Sequence, residues 1–117
     1  MRRLRYQRGD VALALVPFAD ATGSKLRPVV VVGSDAFHAA QPVNVLVARI
    51  SGNVSAHQTS TDYLLQDWQA AGLRRASVVT SFLFTLAPTE IHVTIGRLTD
   101  RDLRGVETCL RLALDLP

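Results

Sequence analysis

Four consecutive valines, Val29 to Val32, preceded by Arg27-Pro28 and followed by Gly33-Ser34, constrain this chain more than any other stretch. β-branched side chains pack well on a pleat, and a strand with one solvated face would alternate. The unbroken run therefore predicts a strand covered on both faces. Pro28 has no backbone N–H and suits the first residue of that strand, set at Pro28 to Val32, while its ring pushes Arg27 out of the helical region into extended geometry. The polar Gly/Ser/Asp loop before it, Ala19 to Leu26, is the kind of surface segment that carries function. A guanidinium is planted where that loop stops, and such an edge suits phosphate.

Around this strand the chain reads as short strands joined by polar turns. Val11 to Phe18 alternates and ends near Pro17. Val43 to Ser51 places Val45, Val47, Arg49 and Ser51 on one face and Leu46, Ala48 and Ile50 on the other, so Arg49 and Ser51 emerge side by side at its end. Gly52 to Thr61 is a second polar loop, containing His57. Asp62 to Leu65 predicts a short strand, Gln66 to Ala71 a helical turn closed by Gly72, and Ser77 to Thr80 with Leu83 to Leu86 further strands. Pro88 breaks the run, and His92 to Leu98 alternates around Val93 and Ile95 as a last strand. Thr99 reads as the N-cap of a helix from Asp100 to about Leu114, with Asp102 reaching back from N3 and Leu98 and Leu103 placed for a hydrophobic staple. Its stripe of Leu103, Val106, Leu110, Ala113 and Leu114 packs on the sheet or on another subunit. Short strands with polar turns in a chain of this size suggest a small closed or half-open barrel.

At 117 residues, 48% hydrophobic and 20% charged, the chain is expected to form one domain over residues 1–117 with one core. No apolar run approaches the roughly 20 residues a membrane helix needs, so no membrane partner is expected. Basic Met1 to Arg8, apolar Val11 to Phe18 and small Ala19-Asp20-Ala21 outline a short signal peptide. Gly9-Asp10 at the head of the apolar run and its strand-like alternation argue instead for a mature cytoplasmic protein. The single cysteine, Cys109, excludes an intramolecular disulfide, and three scattered histidines give no zinc-ligand spacing. Neither a metal nor another cofactor is indicated. The net charge is +3 and twelve of thirteen basic residues are arginine. Arginine forks pair bidentately with phosphate, so the balance leans toward nucleic acid, although the basic arm Arg2, Arg3, Arg5 and Arg8 reads more simply as a solvated terminus.

Four motifs in order, Arg8-Gly9-Asp10-Val11, Gly23-Ser24-Lys25-Leu26-Arg27-Pro28, Val47-Ala48-Arg49-Ile50-Ser51 and Ile95-Gly96-Arg97-Leu98 before an amphipathic helix, resemble the PemK/MazF family of toxin–antitoxin toxins over nearly the whole chain. That resemblance implies a mainly β, α+β fold, an SH3-like small barrel with a C-terminal helix, assembled as a homodimer. It implies a metal-independent, sequence-specific endoribonuclease acting on single-stranded RNA, neutralised by a cognate antitoxin whose acidic, initially disordered tail blocks the RNA site. The family's catalytic arginine falls on Arg27, its catalytic Thr or Ser on Ser51, and its glycine-rich RNA-covering loop on Ala19 to Leu26, which includes Ser24 and Lys25. This chain departs from the family in carrying Arg49 where proline is frequent and Phe82 where relatives carry polar or basic residues, so base stacking by Phe82 replaces a phosphate contact there.

The chemistry suits these residue types. Attack of a 2′-OH on the adjacent phosphorus builds negative charge that a fixed guanidinium stabilises, and an arginine pKa above about 12 makes Arg27 an electrostatic clamp rather than a base. Ser51 can donate to a phosphate oxygen or orient the 2′-OH. His57 alone among nearby groups has an unperturbed pKa close to neutral, against the simpler reading of an idle loop side chain, and His38 and His92 have less claim. Taken apart from the family, Arg27 reads as a partner of Asp10 or Asp35, and Tyr63 and Trp68 as a cover for one end of the core. Two other classes stand beside the nuclease: a CcdB-type gyrase poison on the same barrel, and a small basic RNA-binding barrel without turnover.

Overall fold

The computed structural model describes residues 6–17 and 23–117. Among them run six strands, β1 (Asp10–Pro17), β2 (Ser24–Val31), β3 (Val45–Ser51), β4 (Tyr63–Leu64), β5 (Val78–Leu86) and β6 (Ile91–Arg97), and two α-helices, α1 (Asp35–Ala40) and α2 (Asp100–Leu114). The strands form one antiparallel sheet in the order β4-β5-β3-β2-β1-β6. This is the mainly β, α+β architecture with a C-terminal helix that the sequence leads one to expect.

The valine run is buried on both faces, as its lack of alternation requires. Val30 and Val32 join Val11, Ala48, Ile50 and Val79 under Val106 of α2, while Val29 and Val31 join Ala12, Ala14, Val45, Val47 and Leu86 on the opposite face. Tyr63 and Trp68 pack against the first of these clusters, in the core-covering role expected of them.

The hydrogen-bonded ladder is open: β4 and β6 are edge strands among the described residues. What brings the two edges together is a close backbone approach. A Cβ on Gly96 would stand 2.5 Å from the carbonyl carbon of Ala71, and one on Gly72 would stand 2.8 Å from that of Ile95. Only glycine at both positions lets the turn after β4 lie directly on β6, and Gly72, at φ 84°, also needs the left-handed conformation that closes the turn.

Several boundaries differ from the sequence reading, each for a physical reason. β2 begins at Ser24 rather than Pro28, because Lys25 and Leu26 pair with Val16 and Leu15 of β1 and are drawn into the hairpin. Phe18 and the first half of the Ala19 to Leu26 loop, residues 19–22, lie outside the described residues. Helix α1 is additional: Ser34 caps it by accepting from Phe37 N–H at 3.1 Å, with Asp35 in its first turn. β5 is one strand rather than two. Its register shifts opposite Arg49, where Thr80 Oγ1 donates to the Arg49 carbonyl at 2.9 Å and accepts from Phe82 N–H at 3.3 Å. In β6, Val93 is exposed with His92 and Thr94 instead of turning inward, since register shifts against β1 break the alternation.

α2 spans Asp100–Leu114 and Thr99 caps it, accepting from Asp102 N–H at 3.4 Å. Asp102 does not complete a capping box. Its carboxylate is fully buried and accepts from the Tyr63 hydroxyl (2.8 Å), Gln66 N–H (3.1 Å) and Asp67 N–H (2.8 Å). Asp67 is in turn forked by Arg101 at 2.7 and 3.2 Å and receives the Thr99 hydroxyl at 2.7 Å. The Arg101 and Thr99 hydrogen bonds hold its carboxyl below the usual carboxylate range. These contacts tie the 66–72 turn to the start of α2, which fixes the chain entering the pocket described next. No helix among the described residues is long and apolar enough to cross a membrane.

Candidate functional site

Pairing between β2 and β3 stops at Val29 opposite Arg49. Two residues further along that register, Arg27 on β2 would stand opposite Ser51 on β3. Pro28 has no N–H to carry the ladder on, so the strands part there. The gap is a cavity of about 570 Å³. It is lined by the apolar Leu13, Pro28, Ile50, Leu73 and Ile95, by the buried Ser51 and Ser77, by Asn53 and, at its rim, by four exposed arginines, Arg27, Arg49, Arg74 and Arg75.

Among the described residues no carboxylate lines this cavity, and none of the four guanidiniums makes an ion pair or side-chain hydrogen bond. Other arginines are neutralised: Arg8 by Glu107 at 3.1 Å, Arg97 by Asp10 at 2.8 Å and Arg101 by Asp67 at 2.7 Å. Asp10, which stood as a partner for Arg27, is thus taken by Arg97. Guanidiniums unpaired among the described residues, set beside apolar lining, form a site for anions carried on a partly apolar ligand.

Ser51 is buried, at 9% exposure, whereas Arg49 is exposed, so the two do not emerge equally despite sharing a face. Ser51 Oγ accepts from Asn53 N–H at 3.1 Å, which secures the turn out of β3 and leaves the hydroxyl proton free to be given to a ligand. Arg75 lies flat on the next residue: a Cβ on Gly52 would stand 2.7 Å from the guanidinium Cζ and Nη2. The Arg75 carbonyl accepts from Ser77 Oγ at 2.9 Å, which pins the backbone beneath it.

Of the residues singled out from sequence, the structure brings Arg27, Arg49 and Ser51 to one cavity. Lys25 is exposed on β2, in register with Val16, away from the cavity lining, and Ser24 opens β2 through its backbone pairing with Pro17, its side chain lying outside the described residues. His57 and Phe82 meet each other edge to face, ring centroids 6.2 Å apart, and neither lines the cavity. Phe82 is 59% exposed, so this pair presents an aromatic surface to solvent. Sequence reasoning missed Arg74 and Arg75. Their signal was an arginine doublet just after the Gly72 turn, in a stretch from Trp68 to Thr89 without a single acidic residue.

A family model described as PemK-like, MazF-like toxin of type II toxin–antitoxin system matches residues 7–114. No curated protein sequence matches the chain. Among solved structures, Mycobacterium tuberculosis toxin MazF-mt6 superposes with a TM-score of 0.73 at 23% identity, over 92% of this chain and 98% of its own. An endoribonuclease in complex with its cognate antitoxin, from a mycobacterial species, gives 0.75 at 19% identity over 95% and 96%. The MazE–MazF complex from Deinococcus radiodurans gives 0.67 at 14% identity over 99% and 100%. At these identities the structural likeness establishes the fold.

Proposed function

Because the chain belongs to the PemK-like, MazF-like toxins of type II toxin–antitoxin systems, we propose that it is a cytoplasmic, sequence-specific endoribonuclease that cuts single-stranded RNA without a metal ion. The observation that carries this reading is the convergence of Arg27, Arg49 and Ser51 on one cavity that no carboxylate among the described residues lines. Arg27 is the electrostatic clamp. The 2′-oxygen forms a bond to phosphorus, the bond from phosphorus to the 5′-oxygen breaks, the 2′-hydroxyl gives up its proton and the 5′-oxygen gains one. A 2′,3′-cyclic phosphate and a 5′-hydroxyl result. Negative charge peaks on the non-bridging oxygens, where a guanidinium with no ion-pair partner among the described residues acts with little reorganisation. Ser51 donates its hydroxyl proton to one of those oxygens, and Arg49 holds the same phosphate from the opposite strand. The exposed His57–Phe82 pair stacks on a flanking base, and Lys25 with Ser24 meets the backbone beyond the cavity.

Regulation follows the same chemistry in this proposal. A cognate antitoxin with an acidic tail would satisfy the four guanidiniums and so compete with RNA, and mycobacterial and Deinococcus proteins of this fold have been solved with their antitoxins. The proposed homodimer has apolar surface to draw on, since Leu15 and Leu26 face each other across β1 and β2 yet remain 42% and 41% exposed.

Sequencing the 5′ ends of RNA treated with purified protein in excess EDTA tests the reading. Cleavage at recurrent sites, absent with Arg27→Ala, supports it. Intact RNA together with growth arrest and supercoiling defects on expression would overturn it in favour of a gyrase poison, and tight RNA binding without turnover in favour of a simple binder.

A further inference from the structure

We infer that Arg74 and Arg75 form a second phosphate seat, so that the cavity holds two successive phosphates of one RNA strand rather than the scissile phosphate alone. The inference rests on the RNA reading above and extends it to residues outside the PemK/MazF motifs. Arg27, Arg49, Arg74 and Arg75 bring four positive charges to a cavity that no carboxylate among the described residues lines. A phosphodiester brings one negative charge. A single phosphate would leave most of that charge unbalanced in a half-enclosed site, whereas the next phosphate along a strand lies within reach of the same rim.

Arg75 is placed for this role in advance. Its guanidinium rests on the bare backbone of Gly52, immediately after Ser51, which places its fork beside the first phosphate's hydroxyl donor. The chain on either side is fixed as well: Leu73 N–H donates to the Trp68 carbonyl at 3.1 Å, and Ser77 Oγ to the Arg75 carbonyl at 2.9 Å. A planar guanidinium fork on a fixed backbone suits bidentate recognition of a phosphate. The apolar lining of the same cavity accepts the intervening sugar or base.

Gly52 supplies the test. It is not in the left-handed region, so alanine is tolerated by the backbone, and the added methyl meets only the end of a flexible side chain. Gly52→Ala therefore displaces the Arg75 guanidinium without removing the residue. Binding is read by anisotropy of a 2′-fluoro single-stranded RNA, which keeps the backbone charge but lacks the attacking hydroxyl, over a series of salt concentrations. Arg75→Ala is expected to weaken binding about tenfold and to lower the slope of log K against log salt by about 0.7, the value for one phosphate contact on a single strand. Gly52→Ala should reproduce much of the affinity loss, and Arg74→Ala should add to that of Arg75→Ala. Binding within twofold of wild type for both Arg75→Ala and Gly52→Ala would overturn the second seat, as would no wild-type binding at low salt, or a loss confined to an Asp/Glu-rich peptide. The cleavage reading fails separately: wild-type protein that binds but never cuts sinks the nuclease, while the salt slopes still decide the seat.

Discussion

The Tyr63 hydroxyl donates to Oδ1 of Asp102 at 2.8 Å, joining the two-residue strand β4 to the first turn of α2 across 39 positions of sequence. Asp102 is fully buried, and its other partners are the backbone N–H groups of Gln66 and Asp67. Tyr63→Phe removes one donor from a buried carboxylate and should lower stability by about 2 kcal/mol. Asp102→Ala leaves three donors unmet and should lower it by roughly 3–5 kcal/mol. Burial, then the hydrogen bond and charge of Asp102, pushes the Tyr63 hydroxyl up to about 12. The folded protein thus keeps a proton that the unfolded chain releases near pH 10, so this contribution is complete below pH 10 and is lost as pH rises toward 12. Urea melts should show the gap between wild type and Tyr63→Phe closing over that window; a gap constant from pH 9 to 12 would refute the coupling.

His38 couples stability to pH at the other end. Its Nε2 accepts from Leu46 N–H at 3.3 Å, which requires the neutral ring. Burial lowers its pKa from 6.5, opposed in part by a hydrogen bond with the Tyr6 backbone and by the charge of Asp35. Below pH 6.5 the unfolded chain takes up a proton that the folded protein resists, so stability is complete above 6.5 and falls as pH drops below it. His38→Gln should be less stable near pH 7.5, by about 1 kcal/mol for a weakened acceptor, and flatter between pH 6.5 and 5. Gly33 leaves the space the imidazole fills, since a Cβ there would stand 2.5 Å from Nε2. Gly33→Ala should therefore also blunt the pH response, by pushing the ring from its site.

Closure of the open sheet depends on Gly96. A methyl there meets the carbonyl of Ala71, and backbone cannot swing aside as a side chain can. Gly96→Ala should destabilise by about 1–3 kcal/mol, the range for overpacking, and should loosen the 71–75 segment that supplies Leu73, Arg74 and Arg75 to the cavity. Thermal melts and hydrogen exchange of the Leu73 amide, which donates to Trp68, check both parts. An unchanged melting temperature would show that the two backbones can separate freely.

What was legible in the sequence was whatever short-range physics dictates. The valine run required burial on both faces and Thr99 could only begin a helix. The Arg-Pro step, read as the start of a strand, instead ends only the pairing with β3 while β1 pairs on through it. Arg27 and Ser51 were within reach through the family motifs rather than through local physics. Long-range partners were not legible. Asp102 fits a capping position by spacing, and only the fold shows that its carboxylate turns inward to a tyrosine and two amides. Arg75 is 24 positions from Ser51, and what joins them is the absence of a side chain at Gly52, which no periodicity reports. Lys25 looked like a loop residue because its strand partner, Val16, lies on the other arm of a hairpin.

Arg27 offers the sharpest separation of stability from activity. It is exposed on β2 and has no ion-pair partner among the described residues, so truncation leaves no buried charge or orphaned carboxylate behind. Arg27→Ala should change stability by no more than about 0.5 kcal/mol, as surface substitutions do. Loss of a donor aimed at transition-state charge should lower the cleavage rate by about 10²–10³-fold. Arg27→Lys keeps the charge without the planar fork and should fall between the two. Ser51→Ala differs in kind: it removes the acceptor for Asn53 N–H as well as the proton offered to the ligand, so it should lower both stability, by about 1 kcal/mol, and rate. Single-turnover cleavage and urea melts on the same four proteins separate these effects. Full activity in Arg27→Ala would remove Arg27 from the chemistry, and a destabilised Arg27→Ala would mean that the guanidinium serves the fold instead.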